Sequence, residues 1–181
     1  MNRNDSMNKI AIIGSGGSGK STLAKELGQI LHLPVYHLDS LYWKPNWVPT
    51  PKTEWAQMME ALVAKETWII DGNYGGTMDI RLNKADTIIY LDYPTYIPLY
   101  RVLKRRVQYH GKSRPDMGEG CEEKIDAQFI KWVLHYRRDK RPGILNKLNQ
   151  LKATKEVLIF DTPNTLKEFI AKLKHSQESI S

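Results

Sequence analysis

Short apolar runs alternate along this chain with stretches whose apolar residues recur every three or four positions. Ile10 to Ile13 is a continuous apolar run, as expected of a strand covered on both faces, and Leu23, Leu27 and Ile30 follow at helical spacing. Pro34 to Leu38 reads as a second strand ending at Asp39. The next stretch, S-L-Y-W-K-P-N-W-V-P-T-P, carries Pro45, Pro49 and Pro51, which predict an irregular loop holding Tyr42, Trp43 and Trp47. Thr53 is placed to cap a helix running to about Lys65, with Trp55, Met58, Met59 and Leu62 as its apolar stripe. Trp68 to Ile70 is the third strand, ending at Asp71 and the turn Gly72 to Gly76. A short helix through Ile80 and Leu82 leads to the fourth, Thr87 to Leu91, ending at Asp92.

Pro98 starts or kinks a helix that continues through Arg106. The segment that follows, about residues 107–123, is rich in glycine and lacks apolar periodicity, and it reads as a flap over the ligand. Ile125, Phe129, Trp132, Val133 and Tyr136 are spaced for one buried helix face. Pro142-Gly143 interrupts that pattern and Ile144 to Leu151 resumes it. Val157 to Phe160 is the fifth strand, ending at Asp161, and Thr165 to Leu173 is the closing helix, with His175 to Ser181 expected to fray. Strands alternating with helices predict an α/β fold with a parallel sheet covered on both faces, in one domain spanning residues 1–181. Ligands of such sheets bind at the carboxyl ends of the strands, the edge that receives Asp39, Asp71, Asp92 and Asp161.

Composition adds limits. Hydrophobic content of 41% and charged content of 26% are globular values. The single cysteine, Cys121, excludes an internal disulfide and a cysteine metal cluster, which suits a reducing cytoplasm. No apolar run approaches the roughly 20 residues needed to span a bilayer, and the polar start Met1 to Asn8 does not read as a cleaved signal. The net charge of +7 concentrates in two places. Arg101, Lys104, Arg105, Arg106, Lys112 and Arg114 lie in a stretch without an acid, and Arg137, Arg138, Lys140 and Arg141 are diluted only by Asp139. Phosphorylated ligands, nucleic acid and acidic membranes all attract such charge.

The chemistry is carried by K-I-A-I-I-G-S-G-G-S-G-K-S-T, Lys9 to Thr22. It fits the phosphate-binding pattern G-x-x-x-x-G-K-[ST] at Gly14, Gly19, Lys20 and Ser21, in the required place between a strand and a helix. Gly14, Gly16, Gly17 and Gly19 permit close backbone approach to a polyanion, and the loop Gly14, Ser15, Gly16, Gly17, Ser18, Gly19, Lys20, Ser21, Thr22 is the expected nucleotide cradle. The helix start adds free N–H groups and the positive end of its dipole. Lys20 is expected on the β and γ phosphates and the Ser21 hydroxyl on Mg²⁺.

Asp71 is the carboxylate expected to join Ser21 at the metal, and Asp39, which opens the aromatic loop, is the candidate base or partner for an acceptor hydroxyl. Asp92 and Asp161 read as turn starters, and His37 as a strand residue facing a helix. Tyr42, Trp43 and Trp47, with Asn73 and Tyr74 of the Gly72 turn, form the candidate acceptor wall; the competing reading is that the tryptophans pack the loop onto the core. Arg105, Arg106, Arg114, Arg137 and Arg138 are candidates to close on the transferring group, with Arg105, Arg114 and Arg138 preferred. Asn83-Lys84-Ala85-Asp86 spells a guanine-reading motif but precedes a strand, so it falls at the wrong edge of the sheet.

With these residues in place, the chain resembles the adenylate-kinase-like branch of phosphate-loop kinases. Arg101-Val102-Leu103-Lys104-Arg105-Arg106 is similar to the R-x-x-x-R-R helix that leads into their lid, which implies Arg101 on the adenine ring and Arg105 at the phosphates. Asp71-Gly72 is similar to the start of their D-G-F-P-R element, with Asn73-Tyr74 replacing the remainder. The resemblance implies a three-layer phosphate-loop NTPase fold with strand order 2-3-1-4-5. A broader match, to the family labelled DNA topology modulation proteins and related to FlaR, rests on G-S-G-G-S-G-K-S-T-L-A, H-L-D-S-L-Y-W-K-P, W-I-I-D-G-N-Y-G-G-T, S-R-P-D-M-G-E-G-C and F-I-K-W-V-L-H-Y.

The expected activity is therefore ATP- and Mg²⁺-dependent phosphoryl transfer to a small acceptor, by a monomer or homodimer without a membrane partner. The alternative is a nucleic-acid-binding or regulatory protein with ATP as effector, supported by the basic clusters with Tyr109, Trp132 and Tyr136 interleaved. Under the first reading, DNA binding is weak and independent of sequence.

Overall fold

The computed structural model describes residues 7–109, 121 and 127–178. Five strands, β1 (Lys9–Gly14), β2 (Val35–His37), β5 (Trp68–Asp71), β6 (Thr87–Leu91) and β7 (Glu156–Phe160), form one sheet. Its order is β2-β5-β1-β6-β7, and all pairs are parallel. Counting these five strands alone, that is the expected order 2-3-1-4-5.

The three layers follow from side-chain alternation along the strands. Ile10 and Ile12 of β1, Ile69 of β5 and Ile89 and Leu91 of β6 face one side. There they meet Leu23, Ala24 and Leu27 of α1 (Lys20–Leu31) and Ile170 and Leu173 of α8 (Pro163–Glu178). Ala11, Ile13, Trp68, Ile70, Ile88 and Tyr90 face the other. That side is covered by α3 (Lys52–Val63), α4 (Gly75–Lys84), α6 (Ala127–Asp139) and α7 (Arg141–Leu151). Leu27 and Met59 are fully buried, one on each side; removing either side chain costs about 2–5 kcal/mol.

The proline-rich stretch is more ordered than its composition predicts. Leu38–Tyr42 forms a short helix, α2, and Trp43–Lys44 (β3) pairs antiparallel with Val48–Pro49 (β4) around a 3₁₀ turn at Pro45–Trp47. Left-handed backbone at Asn46 and Trp47 makes that turn. Pro49 is tolerated because a two-stranded ribbon has free edges. The Thr50 N–H and hydroxyl both donate to the Tyr42 carbonyl, at 2.9 and 2.7 Å, closing the base of the hairpin. Asp39 consequently sits in the first turn of α2 and not at a strand end.

Two helix limits also differ from expectation. Pro51, not Thr53, occupies the cap of α3, where a proline's fixed φ and missing N–H cost nothing. The closing helix runs on to Glu178, because Leu173 is buried and Lys174 pairs with Glu26 of α1 at 2.9 Å.

Asp86 accepts the backbone N–H groups of Asn8 and Lys9 at the amino-terminal edge of the sheet. The N-K-x-D sequence thus ties strands together, far from the carboxyl edge where ligands bind. The helix α5 (Tyr96–Gln108) contains Arg101 to Arg106 as expected. Of the anticipated lid, residues 107–109 complete or follow α5 and Cys121 is a buried free thiol whose sulfur lies 3.4 Å from the Lys44 carbonyl. The remainder of the lid lies outside the described residues. Among the described residues, no helix is long and apolar enough to cross a membrane.

Candidate functional site

The loop from Gly14 to Gly19 leaves β1 at the carboxyl edge and turns directly into α1. Gly17 has φ +79°, and a Cβ there would lie 2.5 Å from the Pro98 carbonyl oxygen. Gly14, Gly17 and Gly19 have positive φ, and Gly16 does not. Its hydrogen is needed because a Cβ would stand 2.7 Å from Phe129 and 3.1 Å from Trp132. The stacked pair Phe129 and Trp132 of α6, 5.8 Å apart, thus lies against the loop.

Lys20 donates to the Ser15 carbonyl at 2.9 Å, so its ammonium spans its own loop. Gly19 caps α1 without a side-chain hydrogen bond to the first N–H groups, which suits an anion at that end. Arg101 donates to the Ser18 carbonyl at 2.8 Å and lies over the Tyr93 ring, 5.6 Å from its centroid. Ser15 and Ser18 are buried in the loop, while Ser21 and Thr22 open the helix.

Behind the loop, Asp71 is the last residue of β5 and is almost fully buried. One of its oxygens accepts from the Ser21 hydroxyl at 2.9 Å, and the other lies 2.5 Å from Nδ1 of His37. Ser21 and Asp71 are hard oxygen donors suited to Mg²⁺, which keeps most of its shell for water and phosphate. Among the described residues, no group of three or more His, Cys, Asp or Glu side chains is gathered to hold a metal.

Asn73, expected at the acceptor, is engaged with the loop itself. The Gly14 N–H donates to its Oδ1 at 3.1 Å, and its amide nitrogen donates back to the Gly14 carbonyl. Tyr74 donates to Asp39 at 2.7 Å. Burial first, and then the Asp39 charge, hold the Tyr74 phenol far above its usual range. Around this pair the rings are in mutual contact: Tyr42 touches Trp43, Trp55 and Tyr74 at 4.6 to 5.1 Å, and Trp43 touches Trp47 at 5.4 Å. Tyr42 and Tyr74 pack against the core, Trp43 lies against Tyr42 and Trp47 against Trp43, and Tyr74 carries the contact to Asp39.

The arginines divide. Arg105 and Arg106 are half-buried on α5, and Arg114 lies outside the described residues. Arg138 is exposed and paired with Asp139 at 2.7 Å, so it is not brought to the loop in this conformation. Arg141 instead binds both oxygens of buried Asp92, at 2.9 and 2.8 Å, with Arg137 at 3.6 Å. Asp92 is thus an anchor for α6 and α7, beyond the turn-starting role read for it. Asp161 stays exposed beside Thr162, which accepts the Thr165 N–H in the first turn of α8.

Sequence reasoning missed two groups beside the site. His37 was read as facing a helix, but strand register places it opposite Asp71. Arg81 was not singled out. It is fully buried and donates to the Gly72 carbonyl at 2.7 Å, holding the turn after Asp71. Burial pushes its guanidinium down to about 10, opposed by the Asp71, Tyr74 and Asp79 charges. An arginine in the apolar register of a short helix is the signal that would have found it.

The fold, a five-stranded parallel sheet between two layers of helices, is shared with solved structures. A shikimate kinase from Bacteroides thetaiotaomicron matches with a TM-score of 0.54 at 16% identity, over 93% of this chain and 97% of that one. A gluconokinase from Sinorhizobium meliloti 1021 matches at 0.50 and 15%, over 96% and 95%. A shikimate kinase from Acinetobacter baumannii in complex with shikimate matches at 0.52 and 13%, over 98% and 96%. No family model and no curated protein matches the sequence. At these identities the likeness concerns the fold, so the activity has to be argued from the residues.

Proposed function

We propose that this chain is an ATP- and Mg²⁺-dependent phosphotransferase that moves the γ-phosphoryl group to a hydroxyl of a small molecule. The observation that carries the reading is the contact between Ser21 and Asp71, 2.9 Å apart behind the phosphate loop. It joins the two oxygen donors a nucleotide-bound magnesium needs, beside the loop amides and Lys20. Bound magnesium would neutralise charge on the β and γ phosphates. Everything else is supplied by the chain.

Loop amides and the start of α1 hold the phosphates, and Lys20 leaves the Ser15 carbonyl to bridge them. Arg101, already against Ser18, flanks the adenine side, while Arg105, Arg114 and Arg138 are the cations proposed to gather around the transferring group. Asp39 accepts the acceptor hydroxyl's proton or aligns it, held by Tyr74. Tyr42, Trp43 and Trp47, each in edge contact with the next, are the proposed acceptor wall, with Asn73 steadying the phosphate loop. Kinases named for shikimate and gluconate share the fold, which supports a small hydroxylated acceptor.

On this reading the chain is a cytoplasmic, single-domain member of the DNA topology modulation family, with a lid at about residues 107–123. The four cations of α5 and the absence of acid there support weak DNA contact through phosphates. A screen of nucleosides, nucleotides and hydroxylated metabolites for ADP release, with Lys20→Ala as control, tests the proposal. An acceptor-dependent signal lost in the variant is expected. Absence of ATP binding at near-millimolar nucleotide and magnesium would end it.

A further inference from the structure

We infer that His37 is a positioning residue for the proposed magnesium site, acting through Asp71. The inference rests on the phosphotransferase reading above and adds a residue that this reading does not require. It starts from backbone register. In the parallel pair β2 and β5, His37 stands opposite Asp71, and both are the last residues of their strands. The two side chains therefore meet at the carboxyl edge because of the sheet itself, with no long flexible side chain to immobilise.

Imidazole Nδ1 lies 2.5 Å from Oδ1 of Asp71, and the two side chains are only 14% and 4% exposed. The second oxygen, Oδ2, accepts from Ser21. Rotation of a carboxylate about its last bond is broad and roughly two-fold, so one hydrogen bond does not fix its plane. Two partners on different oxygens do. With His37 on Oδ1 and Ser21 on Oδ2, the carboxylate plane is set before any ligand arrives.

A carboxylate that still has to find its orientation binds a metal less tightly, since ordering it opposes binding. Hydrogen-bonded supports of metal-bound carboxylates typically contribute 10- to 100-fold in metal affinity. Magnesium is the ion for which this matters most, because it demands near-ideal octahedral geometry. The imidazole's hydrogen-bond partner is Asp71, which is not part of the phosphate loop. Its effect should accordingly appear in the magnesium dependence of nucleotide binding and be absent from metal-free binding.

The test compares affinity for a non-hydrolysable ATP analogue with and without magnesium by calorimetry, in the full-length protein and in His37→Phe and His37→Asn. Phenylalanine fills the space but offers no donor; asparagine places an amide donor near the position of Nδ1. The expected result is that magnesium strengthens analogue binding in the native protein, that His37→Phe loses about tenfold of that strengthening, and that His37→Asn keeps most of it. Metal-free binding should be equal in all three. His37→Ala replaces His37→Phe if the latter folds poorly.

Equal magnesium enhancement in the native protein and His37→Phe overturns the inference and leaves the phosphotransferase reading standing. Equal losses in both variants, with metal-free binding reduced as well, also overturn it, since they show a structural role only. A native protein that binds no nucleotide overturns both.

Discussion

Asn73 and Gly14 exchange two hydrogen bonds across the carboxyl edge of the sheet, N–H to Oδ1 at 3.1 Å and side-chain amide back to carbonyl. The residue after Asp71-Gly72 thereby grips the first residue of the phosphate loop. The loop is anchored at this end by the turn after β5 and at the other by α1.

Asn73→Ala should therefore weaken the loop from outside. It leaves the Gly14 N–H and carbonyl without partners in a half-buried place, a cost of about 1–3 kcal/mol. A lowered melting temperature and weaker binding of an ATP analogue are expected. Asn73→Asp should do no better, because its carboxylate faces the Gly14 carbonyl. Thermal unfolding with and without nucleotide reads both effects.

Under the proposed function, changes at Asp39 and Tyr74 should affect chemistry and leave nucleotide binding intact. Asp39→Asn should reduce turnover by about 100-fold or more, the usual contribution of a general base. Tyr74→Phe removes the 2.7 Å hydrogen bond to Asp39 and should reduce turnover by about tenfold, the effect of one hydrogen bond to a charged group. Neither change should move ATP affinity appreciably. Initial rates at varied ATP check this, and normal turnover in Asp39→Asn would remove it from the catalytic set.

Glycine substitutions should split by location. Gly17→Ala combines φ +79° with a 2.5 Å approach to backbone oxygen and should destabilise by about 1–3 kcal/mol, with loss of nucleotide binding. Gly143 lies inside α7, and a Cβ there meets nothing within 4 Å. Gly143→Ala should stabilise by about 0.5–1 kcal/mol. Paired melting curves decide between these opposite signs.

Alkaline pH should reveal four shielded phenols, three of them buried and that of Tyr74 partly buried. Burial raises Tyr74, Tyr90, Tyr93 and Tyr136 above the usual phenol range, helped by Asp39 at Tyr74 and by Asp92 at Tyr90 and opposed by Arg101 at Tyr93. Each folded-state pKa exceeds its unfolded value, so the protein holds protons that the unfolded chain releases. The stabilisation is complete below about pH 10 and is lost as pH rises through the folded values. Absorbance of tyrosinate at high pH should rise in two stages, the second coinciding with unfolding. A single stage in folded protein would contradict the burial.

Much of this site was legible in advance. Gly14 to Ser21 carries a phosphate-binding pattern in its spacing, and Asp71 is visible as the acid that closes an apolar strand. His37 was not legible, because its partner is chosen by which strand lies beside β2. That partner lies 34 positions further along the chain. The hairpin at Trp43 to Pro49 was misread for a related reason: three prolines argue locally against pairing, yet an isolated ribbon leaves room for Pro49 at its edge. Arg138 shows the reverse case. Its charge was visible, but its neighbour Asp139 holds it at the surface.

The sequence by itself determined the alternation of strands and helices, the phosphate loop and the set of carboxylates at one edge of the sheet. Those depend on periodicity and on short-range backbone chemistry, which local residues carry. Only the tertiary structure decided that Asp71 lies between Ser21 and His37, that Asn73 serves Gly14, and that Asp92 anchors Arg141. These contacts join residues 34 to 59 positions apart in the chain. Register and strand order create them, and both are settled by the packing of two helical layers onto one sheet.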